Sequence, residues 1–252
     1  GSDTSAVAIA AVMHADLCQI YTDVEGVFTA DPRKVPGAKK LSSISYDEML
    51  ELASLGAQVL NNRSVEMAKK YGVQLVVRSS LNNNEGTIVR EEVNMEKMLV
   101  SGVAADKNAT RIAVIGLKDE PGIAFHLFNA LAKYNINVDI ILQSVGRNGT
   151  KDISFTVAED EADEAVAIIQ KSFPKSEYNK IDEEKDVAKI SIVGAGMMTH
   201  PGVAASMFEA LYDAGVNIKM ISTSEIRVTV LIDEKYTERA LNAVHDKFAL
   251  GD

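Results

Sequence analysis

Apolar and polar positions trace one pattern twice along the chain. Residues 111–144 read RIAVIGLKDEPGIAFHLFNALAKYNINVDIILQS, and residues 189–224 read KISIVGAGMMTHPGVAASMFEALYDAGVNIKMISTS. From Pro121 against Pro201 the copies align without a gap, matching at Pro-Gly, Ala124/Ala204, Phe128/Phe208, Ala130/Ala210, Leu131/Leu211, Asn137/Asn217, Ile141/Ile221 and Ser144/Ser224. Each copy predicts an alternating apolar strand, a loop ending in Pro-Gly, a helix with apolar residues three and four apart, and a second β-branched strand. In the first copy Ala124, Leu127, Phe128 and Leu131 mark the buried helix face. Pro121 suits a first helical turn, where its missing N–H is not needed, and Gly122 lets a ligand or neighbour approach the backbone. The amides that follow are placed to hold a carboxylate, aided by the helix dipole. A single Pro-Gly would do no more than start a packed helix; its duplication favours a paired sensor.

The first copy continues through a strand at 151–158, a helix at about 161–172 and a strand near 176–182, which completes a β-α-β-β-α-β unit. The second continues through a strand at 225–232 and a helix at about 235–247, without a final strand before Asp252. Residues 97–105, KMLVSGVAA, are an extra strand ahead of the first copy. The economical solution is that they complete the second unit, so that the first (108–184) is inserted in the second (97–105 plus 187–252).

Residues 1–92 have a different rhythm. A helix follows Gly1-Ser2-Asp3-Thr4, a short strand covers Leu17–Tyr21, and Ser45-Tyr-Asp-Glu48 is a capping-box pattern opening a helix through Leu55, with Gly56 as its stop. A second helix, about Arg63–Tyr71, ends at Gly72, and Val73–Val77 reads as a strand buried on both faces of a parallel sheet. This is the layout of the second half of an α/β domain. The expected fold is therefore α/β followed by two α+β, ferredoxin-like units.

Charge narrows the function classes. The net charge of −10 opposes a nucleic-acid surface. Residues 1–90 hold 9 Lys/Arg and 10 Asp/Glu, leaving 17 and 26 of the totals of 26 and 36 for the rest, so the acidity belongs to the repeats. One cysteine, Cys18, excludes an intramolecular disulfide, fits a reducing cytoplasm and reads as a buried small apolar residue. The apolar run Ala6–Met13 is too short to span a bilayer, so no membrane association is expected. Four scattered histidines give no metal site. Gly194-Ala-Gly196 after a strand invites a dinucleotide reading, but the third glycine is absent from its expected place.

Candidate chemistry falls in two places. Ser2 and Asp3 at a helix start suit phosphate or carboxylate contacts. Thr22-Asp23 falls at a strand end, where ligands gather in open α/β sheets. In the loop beyond it, Arg33 can grip a phosphate, while Asp23 or Asp31 can hold Mg²⁺ or position a nucleotide. In the repeats, an amino-acid effector needs its carboxylate, ammonium and side chain recognised. Helix-start amides after Pro121-Gly122 supply the first; Asp119, Asp139 or carbonyls of the strand starting at Asn137 supply the second.

GSDTSA, YTDVEGVFTADPR, ELASLGAQVL and VVRSSLNNNEGTIV, in this order and spacing, resemble aspartate kinases of the amino-acid-kinase fold. DEPGIA, NINVDIILQ, HPGVAA and ISTSEI resemble the paired regulatory ACT domains of the same enzymes. The resemblance covers essentially the whole chain. It implies phosphorylation of the L-aspartate side chain by ATP with Mg²⁺, without a prosthetic group, in a cytoplasmic enzyme regulated by lysine and/or threonine. It places Ser2 and Asp3 at the aspartate and phosphoryl-transfer site. Thr22, Asp23, Phe28, Thr29, Ala30, Asp31, Pro32 and Arg33 fall at the nucleotide site. Effector residues are implied at Asp119, Glu120, Pro121, Gly122, Ile123, Ala124, Asn137, Val138, Asp139 and Gln143, and at Val203, Ala204, Asn217, Ile218, Ser224 and Glu225. Asp119 and Glu225 are the expected partners of a cationic ligand side chain. The effector site is expected to be shared across a homo-oligomer joined through its ACT sheets, with Ser224 and Glu225 of a partner chain near the ligand.

Departures from the family pattern are Phe28 in place of Tyr, Gln58 where some relatives carry Lys, and Asn61-Asn62 in place of His-Pro. The family's Lys-Phe-Gly-Gly segment, its substrate-binding Glu and its Arg-Gly before GSD lie outside the chain. The chain is therefore expected to be inactive alone, because phosphoryl transfer depends on positioning and charge stabilisation. The alternative is a noncatalytic regulatory subunit that binds amino acids. The acidic balance and the absence of a helix-turn-helix candidate oppose a transcriptional regulator.

Overall fold

The computed structural model describes residues 2–56, 59–91, 99–146 and 148–251. Gln58 and residues 97–98 of the orphan strand lie outside these. The described residues divide into two compact units, one of 1–106, 190–230 and 236–252, the other of 107–189 and 231–235.

In the first unit, β1 (Cys18–Thr22) pairs in parallel with β3 (Leu75–Ser79), which runs antiparallel to β4 (Thr87–Arg90); β2 (Ser43–Ser45) closes the order β1-β3-β4-β2. Helices α1 (Ser2–Val12), α2 (Tyr46–Ser54) and α3 (Asn62–Tyr71) supply Val7, Met49, Leu52 and Val65 to a core shared with Ile20, Leu75, Val77 and Val89. The capping box forms as expected, with Ser45 capping α2, and Gly72 ends α3 in the left-handed region at φ 65°. Two expectations shift. The helix already includes Ser2 and Asp3. The strand expected at Val73–Val77 starts at Leu75, and its burial alternates, with Val76 and Arg78 half-buried, because the apolar cluster takes alternate positions of the sheet.

The second unit contains β6 (Thr110–Lys118), α4 (Ile123–Ala132), β7 (Ile141–Gln143), β8 (Thr150–Val157), α5 (Ala162–Ser172) and β9 (Lys180–Glu184). Its antiparallel sheet has the order β7-β8-β6-β9. Leu127 and Leu131 of α4 are fully buried against Ile112, Val114, Ile153 and Phe155. Burial of each such leucine is worth roughly 1.5–3 kcal/mol. Strand β9 starts later than expected because a turn at Pro174–Glu177 intervenes.

The second repeat uses β10 (Val187–Val193), α6 (Val203–Asp213), β11 (Met220–Thr223), β12 (Arg227–Asp233) and α7 (Thr237–Lys247). Its sheet order is β11-β12-β10-β5, where β5 is Gly102–Asp106. The strand ahead of the first repeat is thus the fourth strand of the second, and the first repeat is inserted in the second.

Candidate functional site

Thr22 closes β1, and its carbonyl accepts from the Ser80 N–H (2.8 Å) and hydroxyl (3.1 Å), which fixes the strand end beside Ser79. Its own hydroxyl donates to Asp23 Oδ1 at 3.0 Å. The chain then forms a hairpin, with Phe28 bridged to Lys40, Thr29 N–H bonded to Lys39 O and Leu41 N–H to Val27 O. Thr29 and Ala30 are buried at its base, whereas Pro32 and Arg33 are exposed at its tip. Arg33 donates through Nε and Nη2 to the two oxygens of Asp31, each at 3.0 Å, and its N–H bonds to Asp31 Oδ1 as well. These bonds hold the Asp31 carboxyl below its ordinary range and raise the Arg33 guanidinium. Asp31 is therefore committed to shaping the tip and aiming Arg33, whereas Asp23 accepts from the Thr22 hydroxyl and Glu25 from the Asn82 and Asn84 side chains.

Ser2 Oγ donates to Asp3 Oδ1 at 3.3 Å in the first turn of α1. Asp3 lies within electrostatic reach of Cys18, whose buried thiol is raised first by burial and then by that charge.

In the inserted repeat, Asp119, Glu120, Pro121 and Gly122 form an exposed loop, and Ile123 and Ala124 open α4. Pro121 is not in the first helical turn; it precedes Gly122, the N-cap at φ 94°. That angle, rather than close approach of a neighbour, explains the glycine: an added Cβ would meet only the His126 ring at 3.8 Å. Asp119 Oδ1 pairs with Lys151 at 2.7 Å, so a cationic ligand here meets a carboxylate already shared with an internal ammonium. Asn137, Val138 and Asp139 do not start a strand. The Asp139 N–H bonds Thr156 O, its carboxylate pairs with Lys189 at 2.6 Å, and regular pairing begins at Ile141 and ends at Gln143.

The second repeat differs. Gly202 has the same φ of 94°, and Val203 and Ala204 open α6, with Asn217 and Ile218 leading into β11. Ser224 and Glu225 line a cleft of about 1640 Å³ that Thr29, Lys39, Lys40 and Ser101 also line. Ser224 and Glu225 thus line the same cleft as part of the hairpin that carries the nucleotide-site candidates.

Glu48, Glu51 and His245 join these parts through contacts that the sequence reading did not assign. Glu48, 4% exposed, completes the capping box and also accepts from Ser101 Oγ (2.6 Å) and Ala195 N–H (2.9 Å), while Glu51 pairs with Arg227 at 3.0 Å. His245 of α7, 1% exposed, places Nε2 2.9 Å from Thr29 Oγ1. The capping-box spacing signalled Glu48; His245 sits on the apolar face of α7 beside Leu241 and Val244, where a histidine gives no signal.

The amino acid kinase family profile matches residues 1–79, and the ACT domain profile matches 112–173 and 190–248. Aspartokinase of Helicobacter pylori is 50% identical over 255 residues, covering 99% of this chain and 62% of that protein. The chain therefore spans about three fifths of the length of such relatives. The regulatory subunit of aspartate kinase from Thermus thermophilus is 42% identical with a TM-score of 0.56, over 60% of this chain and 99% of that one. The chain belongs to the aspartokinase family. Aspartokinase III of E. coli, solved with aspartate and ADP, superposes with a TM-score of 0.84 at 25% identity, over 99% of this chain and 56% of that one. The same enzyme solved with lysine and aspartate gives 0.79 at 25% identity, over 98% and 55%. Strand β5 lies outside both ACT matches, yet it completes the second ACT sheet. No helix among the described residues is long and apolar enough to cross a membrane.

Proposed function

We propose that the chain carries the nucleotide-binding and effector-sensing parts of an aspartate kinase, which transfers the γ-phosphoryl group of ATP to the side-chain carboxylate of L-aspartate and yields 4-phospho-L-aspartate for lysine, threonine and methionine biosynthesis. The observation that carries this reading is the match along nearly the whole chain to an enzyme solved with aspartate and ADP. In this reading Arg33, aimed by Asp31, meets a phosphate, and Asp23 contributes one carboxylate to the Mg²⁺ that arrives with ATP, which is how Mg²⁺ commonly binds. Ser2 and Asp3 belong to the aspartate side of the site.

The exposed 119–122 loop and the first turn of α4 take the effector carboxylate on helix-start amides, and Asp119 and Asp139 face its cationic groups, as lysine or threonine requires. Edge strands β7 and β11 leave Ile141, Leu142 and Ile221 exposed, which suits pairing of ACT sheets in a homo-oligomer of the cytoplasm. The second reading, a noncatalytic regulatory subunit, is favoured by the Thermus match. Calorimetric titration of the 252-residue chain distinguishes them. Binding of ADP, weakened by Asp23→Ala and Arg33→Ala, supports the kinase reading. Binding of lysine or threonine without ADP supports the regulatory one. If Asp119→Ala and Ser224→Phe both leave effector binding unchanged, the effector assignment is wrong.

A further inference from the structure

We infer that His245, on the last helix of the second ACT unit, is a positioning residue for the hairpin 27–41. Thr29 is the hub. Its hydroxyl accepts from the Lys39 N–H (3.0 Å), stands 2.9 Å from His245 Nε2 and reaches Leu250 O at 3.4 Å; its carbonyl accepts from the Val103 N–H at 2.7 Å. Every partner except Lys39 belongs to the second ACT unit, either to β5 or to α7 and the turn after it. Nearer the hairpin tip, Asn242 Nδ2 donates to Lys34 O at 3.1 Å, and Asn242 stands on the same face of α7 as His245, three residues earlier. Helix α7 therefore holds the hairpin at base and tip. The side chain at 245 is able to act on Arg33 only through this frame, since Arg33 is exposed and bonded to Asp31.

Both Thr29 and His245 are 1% exposed, so water does not replace a bond lost between them. A buried polar group left unpaired costs free energy that shows as local opening. The geometry alone predicts that the ACT fold sets the shape of the hairpin; the consequence for nucleotide affinity rests on the aspartate-kinase reading.

Hydrogen exchange with mass or NMR detection on the full chain tests this. In His245→Leu, exchange of the Lys39 and Leu41 amides should rise about ten-fold while amides of β3 stay unchanged, and His245→Gln, which keeps a polar nitrogen near Nε2, should remain within about two-fold of the parent. Thr29→Val should reproduce the loss and Thr29→Ser should not, which tests the same bond from the other element if His245→Leu fails to fold. Unchanged exchange at Lys39 and Leu41 in both His245→Leu and Thr29→Val overturns the inference, as does equal loss in the leucine and glutamine variants. A parallel ADP titration separates the two claims. Weakening about ten-fold in His245→Leu, with lysine affinity unchanged, supports both. No ADP binding by the parent defeats the kinase reading, while the exchange result still decides the role of His245.

Discussion

The two ACT units have matching core positions and differ in their loops. Leu127 and Leu131 of α4 correspond to Met207 and Leu211 of α6, all fully buried, and both helices start after a glycine at φ 94°. Between strand and helix, however, the first unit has only residues 119–122, whereas the second has 194–202 with a 3₁₀ turn at Ala195–Thr199. The longer loop is used internally. Its Ala195 N–H is held by Glu48, and Gly194 sits so close to the chain at 99–100 that a Cβ would come within 2.5 Å of Leu99 O. The short loop is exposed through Asp119–Gly122. Duplication has thus left one loop exposed and tied the other to the capped start of α2.

The strongest way to break that contrast is to cut the tie. Glu48→Ala removes a buried acceptor of the Ser101 hydroxyl and the Ala195 N–H as well as the reciprocal cap, and should destabilise the chain by about 3 kcal/mol in denaturant unfolding. Asp119→Ala, which loses a partly exposed pair with Lys151, should cost less than about 1 kcal/mol. Equal losses would mean that the two loops are equally committed.

A smaller effect separates the units by pH. Burial lowers the His245 pKa. The folded state therefore binds fewer protons than the unfolded chain, so this contribution is fully present above the unfolded value of about 6.5 and is lost as pH falls through it towards the folded value. The first ACT unit has only the exposed His126. Between pH 7 and 5, exchange at Lys39 and Leu41 should accelerate more than exchange at β8 amides, and His245→Gln should abolish the difference. A difference that persists in His245→Gln would assign it to another group.

The repeats were legible because β-α-β units carry strong periodicity, and even the discontinuous strand followed from counting strands. Local details were less so. Pro121 reads as a helix residue, but the left-handed turn at Gly122 pushes the helix start to Ile123. Asn137 reads as a strand start, but Ile136 and Ile140 are both buried and Thr156 takes the Asp139 and Ile140 amides, so the backbone stays irregular until Ile141. Asp31 reads as a ligand for a cation, but in the folded chain both of its oxygens are taken by Arg33. The roles of Glu48 and His245 depend on partners 147 and 216 residues away in sequence, which no local pattern encodes.

The division between an open and a committed loop is tested most directly by amide exchange of the full chain with and without saturating lysine, and separately threonine. The ligand-free chain should already protect the Ala195 amide. Ligand should add protection of about ten-fold or more at Ile123–Phe125 and leave Ala195 unchanged. Protection gained at 194–203 with none at 119–125 would contradict the account.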